Sequence, residues 1–448
     1  MKRIIIELTI LLMVSSFVIF FQFNQVPKKL SWDEVEFTRL TLSLDNKPYT
    51  PYSRLATGHS TLYFYLILAS FKTFGMTNFA LRFPSALFGV TNVLIFYLIS
   101  RIAFSKITYF PKNFLRITLI PFLLSLILAS SRWYFNFARF SFEATFLMFL
   151  ELTSIYFLFK FFTVSNVIPN LFRDLLSKNQ MLKLVQHDKK HSIIYLILSG
   201  IFSGLALLSY YPGRIFFLLP LVFFFFYSSK KLVKKSSIIF LLTVSLVASP
   251  LLIYLTSHKD LRIKEQLFLT DRELNFQQKL SYFGNNIAKL TLMFNLEGDL
   301  NGRHNYPGKP IFNPVVGAFF LLGFLVTVLH LKNFYNQLFF IYFILSLTPA
   351  LFTYPMENPN SLRTYTAIVP SIYFVGNGLT YLLQSEQKSK ILLFGAIIFL
   401  LVLFALSSLY DLRTYFLYQR LVFNKSFELN GTIQRILNLK LWEKTQSL

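Results

Sequence analysis

Long apolar runs occupy most of this chain, and they restrict the available folds more than any other feature. Several approach the ~20 residues that a helix needs to cross a bilayer, and 54% of the 448 residues are hydrophobic. Segments that cross a membrane must satisfy their own backbone hydrogen bonds, which favours helices. The sequence therefore predicts an all-α polytopic membrane protein. Its twelve candidate spans lie near residues 4–22, 60–74, 82–100, 115–131, 142–162, 193–210, 214–228, 237–255, 312–330, 336–353, 364–384 and 390–409.

Basic residues concentrate in short segments between the apolar runs. Lysine and arginine favour cytoplasmic loops, which assigns the following segments to the cytoplasm: 2–3, 101–116, 178–190, 230–235, 332 and 388–390. The net charge of +24 then reflects sidedness in the plasma (cell inner) membrane and affinity for anionic membrane lipids. Nucleic-acid binding is not expected. The chain has no cysteine, which excludes disulfides, thiolate metal sites and cysteine nucleophiles.

Loop charge leaves one apolar run unable to cross the membrane. Residues 4–22 cross outward as an uncleaved signal-anchor, and the basic loop 101–116 must lie inside. Only an odd number of further crossings can connect the two, yet two apolar runs, 60–74 and 82–100, lie between them. The run 60–74 is short, and runs of that length are more often interfacial than spanning. We expect about 11 transmembrane helices, a membrane domain over 1–409 and an extracytoplasmic amphiphilic tail over 410–448.

Polar clusters fall in the segments that this topology places outside. The longest are the loops at about 24–79 and 257–312, which we expect to carry juxtamembrane helices. Ser31-Trp-Asp-Glu-Val-Glu36 follows the first span directly and places three acids on a short loop. These acids either perform chemistry at the outer face or start a solvated helix with Ser31 as N-cap. Glu36 is interpreted as an ordinary surface acid.

Several short motifs, taken in order, resemble a known enzyme family. They are Asp33-Glu34, Ser60-Thr-Leu-Tyr-Phe-Tyr65, Phe79-Ala-Leu-Arg-Phe-Pro-Ser85, Ala138-Arg139 with Glu143, Gly204-Leu-Ala206, Tyr210-Tyr-Pro-Gly-Arg214, Gly298-Asp-Leu-Asn-Gly-Arg-His-Asn305 and the segment from Arg363 to Pro370. Their order over residues 1–380 resembles glycosyltransferase family 39, which includes protein O-mannosyltransferases and lipid A aminoarabinose transferases. The resemblance implies a GT-C membrane enzyme with a polyprenyl-phosphate sugar donor. It also implies an extracytoplasmic acceptor hydroxyl on a lipid, glycan or protein, with inversion at the anomeric carbon.

The resemblance suggests roles for individual residues. Asp33 matches the family's Asp-Glu motif and is expected to take or orient the acceptor proton, with Glu34 supporting it or helping to bind a metal. A leaving lipid phosphate needs positive charge near its oxygens. The candidates for contacts with the donor phosphate and sugar are Arg139, Glu143, Arg214, Asn301, Arg303, His304, Lys309 and Arg363.

These candidates also have structural interpretations. Arg139 and Glu143 are four residues apart and could form an ion pair on one helix face. Arg214 and Arg363 could instead anchor the chain at lipid headgroups. The segment 298–310, which is rich in glycine and proline, could be a surface loop without a ligand.

His59 stands where related aminoarabinose transferases have a metal-binding acid. With His304 and an acid it could hold zinc or manganese, whereas the sequence favours a metal-free histidine satisfied by hydrogen bonds. A divalent metal cofactor (Mg, Mn or Zn) is thus left open. Two other functions also remain open: a polysaccharide polymerase or ligase, and a transporter or flippase. An acid inside a span, such as Glu151, is the sign of the transporter.

Overall fold

Helices account for almost all of the regular structure. The computed structural model describes residues 2–107, 115–171, 178–227, 230–385 and 390–438. Its α-helices are α1 Lys2–Phe20, α2 Trp32–Ser43, α3 Leu62–Phe74, α4 Asn78–Lys106, α5 Ile120–Ser130, α6 Arg132–Phe137, α7 Ala144–Leu171, α8 Lys178–Leu207, α9 Leu218–Tyr227, α10 Lys230–Ser257, α11 Leu261–Gln266, α12 Phe276–Met293, α13 Pro314–Leu329, α14 Phe334–Leu351, α15 Ile368–Ser385, α16 Lys390–Arg413 and α17 Arg420–Ser426.

Short elements complete the described chain. The two-residue strands β1 (Tyr52–Ser53) and β2 (His59–Ser60) pair antiparallel. Two π-helical segments cover Leu115–Leu119 and Thr414–Gln419. Short 3-10 helices cover Tyr211–Ile215, Phe268–Thr270, Pro355–Glu357 and Tyr365–Ala367. Side chains in parts of the basic segments 101–116, 178–190, 230–235 and 388–390 lie outside the described residues, as does the end of the tail, 439–448.

All twelve apolar runs coincide with helices. Seven described helices are long and apolar enough to span a membrane: Lys2–Phe20, Asn78–Lys106, Ala144–Val164, Lys235–Ser257, Phe334–Leu351, Tyr365–Leu383 and Ile391–Ser426. The shorter apolar helices Leu62–Phe74, Ile117–Ser130, Ser192–Leu207, Tyr211–Tyr227 and Pro314–Leu329 match the other five runs. The all-α polytopic class is confirmed.

Helix α3 fits the expectation that one apolar run stays on one side of the membrane. Its 13 residues reach about 20 Å at 1.5 Å per residue, short of the ~30 Å hydrocarbon core. The residues that flank α3 contact the cavity and the tail, respectively. His59, just before α3, lines the cavity described below, and Asn78, just after it, accepts a hydrogen bond from the backbone N–H of Ile433 in the tail.

Close packing of α13 against α15 fixes two loops relative to each other. A Cβ at Gly323 of α13 would lie 1.6 Å from the carbonyl oxygen of Phe374 in α15. Small residues at helix crossings let backbones approach in this way. Because α13 follows the 298–310 loop and α15 follows the 354–363 loop, the two loops are held side by side.

The described part of the tail packs onto the loops near α2. The backbones of Leu429 and Leu30 exchange two hydrogen bonds of 3.0 Å, and Lys29 Nζ donates to the carbonyl of Asn424 at 2.7 Å. Helix α16 continues past residue 409 to Arg413. The tail therefore buttresses the segment that leads into α2.

Candidate active site

A cavity of 490 Å³ opens where loops from distant parts of the chain meet. Its walls come from α2 and the loop after it, the turn before α7, the turn at Tyr210, α11, the 298–310 loop and the 354–363 loop. We call this end of the helix bundle the loop face. The topology predicted from loop charge places all of these segments on one side. The predicted site residues that line the cavity are Asp33, His59, Asn301, Arg303, His304 and Arg363.

An accessible carboxylate lies in this cavity. Asp33 is in the first turn of α2, and its Oδ2 accepts a hydrogen bond from Nη1 of Arg303. The Asp33 side chain remains 50% exposed. The ion pair brings together residues 270 positions apart and leaves the acid open to a hydroxyl group that enters the cavity.

Glu34, the neighbouring acid, is buried away from the cavity lining. Ser31 caps α2 as predicted: its Oγ accepts from the Glu34 N–H at 3.2 Å, while Glu34 Oε2 accepts from the Ser31 N–H at 3.1 Å. Glu34 Oε1 also accepts from Arg82 Nε at 2.7 Å and from the backbone N–H of Ser141 at 3.2 Å. Successive helix residues point about 100° apart, so Glu34 faces inward while Asp33 faces the cavity. Glu34 therefore lies behind the cavity wall, paired with Arg82.

Arg82 is the partner that the sequence analysis did not single out. It lies in α4, is fully buried, and donates to the carbonyls of Pro27 at 2.7 Å and Lys29 at 2.8 Å as well as to Glu34. A buried arginine needs all its donors paired, and these acceptors come from the segment before α2. The sequence signal that could have identified Arg82 is the presence of an arginine within an apolar run.

Arg139 does not face the cavity. Its guanidinium closes the C-terminal end of α1, where carbonyls lack partners within the helix, and its Cζ lies 4.9 Å from the centroid of the Phe416 ring. It donates to the carbonyls of Val18, Ile19, Gln22 and Val26. Arg139 does not line the cavity and does not form the ion pair with Glu143 that its position suggested.

Glu143 pairs instead with His59. Helix α6 ends at Phe137 and α7 begins at Ala144, so Arg139 and Glu143 do not share a helix face. Glu143 Oε1 lies 2.5 Å from Nδ1 of His59, and its Oε2 is buried with no hydrogen-bond partner in the described part of the chain. Burial acts to raise the pKa of the Glu143 carboxyl, but His59 and Arg262 hold it below its usual value.

His59 is a buried, neutral histidine at the cavity wall. Burial and the Arg262 guanidinium lower the pKa of its imidazole, and its Nδ1 contacts the Glu143 carboxylate. Within the described ranges, no three His, Asp or Glu side chains come together as metal ligands. Arg262 Nη1 lies 3.0 Å from His59 Nδ1, and a guanidinium charge beside the imidazole does not fit a divalent metal at this position.

The 298–310 loop is organised around the buried Asp299. Its Oδ2 accepts from the Ser361 N–H at 2.8 Å and Oγ at 2.9 Å, and lies 3.0 Å from His304 Nδ1. Its Oδ1 accepts from the Asn301 N–H at 2.8 Å. Burial acts to raise the pKa of the Asp299 carboxyl, but His304 and the backbone donors hold it below its ordinary value. Asp299 thus joins the two loops that carry Arg303 and Arg363.

Arg363 lines the cavity with a partly paired guanidinium. Its Nη2 pairs with Glu357, while its Nη1 is buried without a hydrogen-bond partner among the described residues. Two other predicted phosphate ligands lie elsewhere. Arg214 pairs with Asp260, and Lys309 Nζ lies 4.3 Å from the ring centroid of Tyr410.

Sequence reasoning missed several residues of the cavity wall. Arg262 of α11 lies in a basic stretch with no distinguishing signal, and its Nη1 is 3.0 Å from His59 Nδ1. Glu36, interpreted as an ordinary surface acid, lines the cavity and accepts from Arg39 at 2.9 Å. Together the lining supplies accessible carboxylates, of which Asp33 is the most exposed, and several guanidinium groups, an arrangement that can accept a proton and bind an anion.

No protein-family model and no curated protein sequence matches the chain, but solved structures match its fold. The archaeal oligosaccharyltransferase AglB from Archaeoglobus fulgidus, in complex with an inhibitory peptide and a dolichol-phosphate, gives a TM-score of 0.55 at 14% identity over 96% of this chain and 56% of that one. ArnT from Cupriavidus metallidurans bound to undecaprenyl phosphate gives 0.50 at 9% identity over 95% of this chain and 76% of that one.

These similarities concern the fold. The chain spans about 56% of the length of the oligosaccharyltransferase. Membership of glycosyltransferase family 39 and of the GT-C class stays a prediction, whereas the all-α polytopic fold expected from the sequence is confirmed.

Proposed function

We propose that this chain is a membrane glycosyltransferase that moves a sugar from a polyprenyl phosphate to a hydroxyl of an extracytoplasmic lipid, glycan or protein. The observation that carries the proposal is the loop-face cavity, where the open carboxylate of Asp33 shares one wall with Arg262, Arg303 and Arg363. The fold, similar to structures that hold dolichol-phosphate or undecaprenyl phosphate, supports it. So does the family 39 resemblance. The positive-inside pattern supports a plasma-membrane location with the loop face outside.

In the proposed reaction, Asp33 acts on the acceptor. The acceptor hydroxyl gives its proton to the Asp33 carboxylate as its oxygen forms a bond to the anomeric carbon. The bond from that carbon to the phosphate oxygen breaks, and the electron pair leaves with the polyprenyl phosphate. Attack from the side opposite the phosphate inverts the anomeric carbon. Arg303 orients the Asp33 carboxylate through their ion pair.

The leaving phosphate gains charge as the bond breaks and needs donors already in place. Arg363 lines the cavity, and an arginine guanidinium suits phosphate oxygens. The apolar surfaces of the spans, such as α10 with Leu246 76% exposed, provide a lipid-facing environment for the polyprenyl tail. Asn301, which also lines the cavity, is placed to contact sugar hydroxyls.

The alternative functions differ in what they require. A transporter needs ionisable groups inside the membrane on a substrate pathway, and Glu151 of α7 is instead buried and accepts from the Tyr342 hydroxyl at 2.6 Å. A polysaccharide polymerase or ligase would use the same lipid-linked chemistry. It differs in acceptor, which would be a growing glycan.

A donor panel tests the proposal. Purified full-length protein in lipid nanodiscs is incubated with radiolabelled polyprenyl-phosphate monosaccharides and with polyprenyl-linked oligosaccharides. Membrane extract supplies the acceptors. Label from a monosaccharide donor is expected to move to the extract in the presence of wild-type protein. Elongation of a glycan from the oligosaccharide donors would favour a polymerase, and no transfer from any donor would contradict the proposal.

Gly302 supplies a second test, because α17 packs directly against it. A Cβ at this position would lie 2.2 Å from Ser426 Oγ and 2.6 Å from Val422 Cγ1. Gly302→Ala is expected to push the adjacent Arg303 away from Asp33 and to lower the transfer rate, by up to about 10²-fold for a displacement near 1 Å.

Gly284→Ala in α12 is the matched control, since a Cβ there meets nothing within 4 Å. Adding Val422→Ala and Ser426→Gly to Gly302→Ala removes the clashing atoms and is expected to restore much of the rate. If the triple variant stays as slow as Gly302→Ala, the tail does not position the Arg303 loop.

A further inference from the structure

Arg262 holds a positive charge at the centre of a cluster that contains a histidine and a carboxylate. Its backbone N–H and that of Ile263 donate to the N-cap Asp260 at 3.0 and 3.2 Å, which fixes the start of α11. Its guanidinium carbon lies 5.5 Å from the centroid of the Tyr210 ring, a cation–π distance. Its Nη1 lies 3.0 Å from His59 Nδ1, the nitrogen that contacts Glu143.

The acids of the cavity wall are already neutralised by side chains of the chain. Among the described residues, the lining acids and their partners are Asp33 with Arg303, Glu36 with Arg39, Asp299 with His304 and Glu357 with Arg363. A divalent cation needs two or more ligands free of other positive charges. To bind at these acids, it would have to displace an arginine or, at Asp299, His304.

The arginines of the lining, Arg262, Arg303 and Arg363, favour an anionic ligand instead. The Nε of Arg262 and the Nη1 of Arg363 are both buried without hydrogen-bond partners in the ranges that the structure describes, and the Arg363 residue is only 8% exposed. Buried polar atoms without partners are rare in native structures and call for an explanation. Both arginines line the same cavity, and a phosphate group offers enough acceptor oxygens for both.

We propose that Arg262 provides, as a fixed side chain, the positive charge that a divalent metal could otherwise provide to the leaving phosphate, and that transfer by this protein needs no metal ion. The inference rests on the proposed glycosyl transfer. As the anomeric C–O bond breaks, the electron pair moves to the phosphate oxygen, and the guanidiniums of Arg262 and Arg363 stabilise that charge. The acceptor proton still goes to Asp33.

Metal binding is tested first, because it can be measured without turnover. Full-length protein stripped with EDTA is titrated with Mn²⁺, Zn²⁺ and Mg²⁺ by calorimetry, alongside His59→Ala and Glu143→Gln. Any binding to wild-type protein is expected to be the same in both variants, as for cations on the surface. A stoichiometric site that disappears in His59→Ala would overturn the inference even if no donor substrate had been found.

Turnover is tested next with a donor from the panel. The wild-type rate is expected to be unchanged by EDTA or by added metal ions. Arg262→Gln should lower kcat by about 10²–10³-fold, the usual cost of removing one donor to developing negative charge, with a smaller change in KM. Arg262→Lys should recover part of the loss, and the exposed Arg272→Gln in the same loop is the control.

The outcomes separate this inference from the proposed function. Loss of wild-type turnover in EDTA with recovery on Mn²⁺ would overturn metal independence and leave glycosyl transfer intact. A normal kcat for Arg262→Gln would overturn the role of Arg262. Weaker binding of undecaprenyl phosphate itself to Arg262→Gln than to Arg272→Gln, measured by native mass spectrometry, would support the phosphate contact independently of turnover.

Discussion

Replacement of Asp33 by asparagine is expected to lower the rate of sugar transfer by about 10²–10⁴-fold, the usual contribution of a positioned general base. The amide keeps the shape of the side chain and cannot take the acceptor proton. The fold should survive, because Asp33 is half-exposed and exposed ion pairs contribute only ~0–1 kcal/mol to the free energy of unfolding. The measurement is the initial rate with the donor identified by the panel, together with a thermal unfolding curve.

Glu36→Gln is the matched control for this prediction. Glu36 lies one turn further along α2, lines the same cavity and has its own partner, Arg39. Its replacement is expected to change the rate less than tenfold. If Asp33→Asn lowers kcat and kcat/KM together, the lost interaction belongs to the transition state. An Asp33→Asn variant as fast as wild-type protein would remove Asp33 from the mechanism and place the proton elsewhere.

The membrane architecture was predictable because its signal is local. An apolar run of sufficient length forms a helix wherever it lies in the chain, and every run found in the sequence coincides with one. Basic loops likewise indicated that one early run does not cross, and its short length singled out the run 60–74, which is a 13-residue helix next to the cavity. Neither inference required knowledge of which helices pack together.

The candidate site was predictable in part, because order along the chain carries limited information about contacts. Motif order suggested Asp33, Arg303 and Arg363 as site residues, and the three line one cavity. It failed for Arg139 and Glu143, whose spacing suggested a shared helix face. The helix is interrupted between Phe137 and Ala144, where the sequence has no glycine or proline that would have predicted a break. Arg139 instead binds the carbonyls at the end of α1, and Glu143 binds the buried His59. Such long-range demands are invisible in a single sequence.

The second prediction with a large effect concerns the ion pair between Glu34 and Arg82. Both side chains are fully buried, and Arg82 Nε and Nη2 donate to the carboxylate at 2.7 and 2.9 Å. Removing one member leaves an uncompensated buried charge, which costs about 3–5 kcal/mol. Glu34→Gln and Arg82→Met are each expected to lower the free energy of unfolding by roughly this amount, measured by tryptophan fluorescence in detergent. Val35→Ala, a neutral core truncation in the same turn, is the control for general loss of packing.

The double variant Glu34→Gln with Arg82→Met distinguishes a positioning role from a catalytic one. Removing both charges leaves neither unpaired, so stability should recover above that of either single variant, because a buried ion pair often contributes little beyond a neutral replacement. If Glu34 only positions Asp33 through α2, the double variant should regain part of its transfer rate along with its stability. If Glu34 takes part in the chemistry, stability will recover while the rate stays as low as in Glu34→Gln. That second pattern would move the catalytic carboxylate one residue along the helix, into a side chain that the folded protein keeps paired with Arg82 and sealed from the cavity.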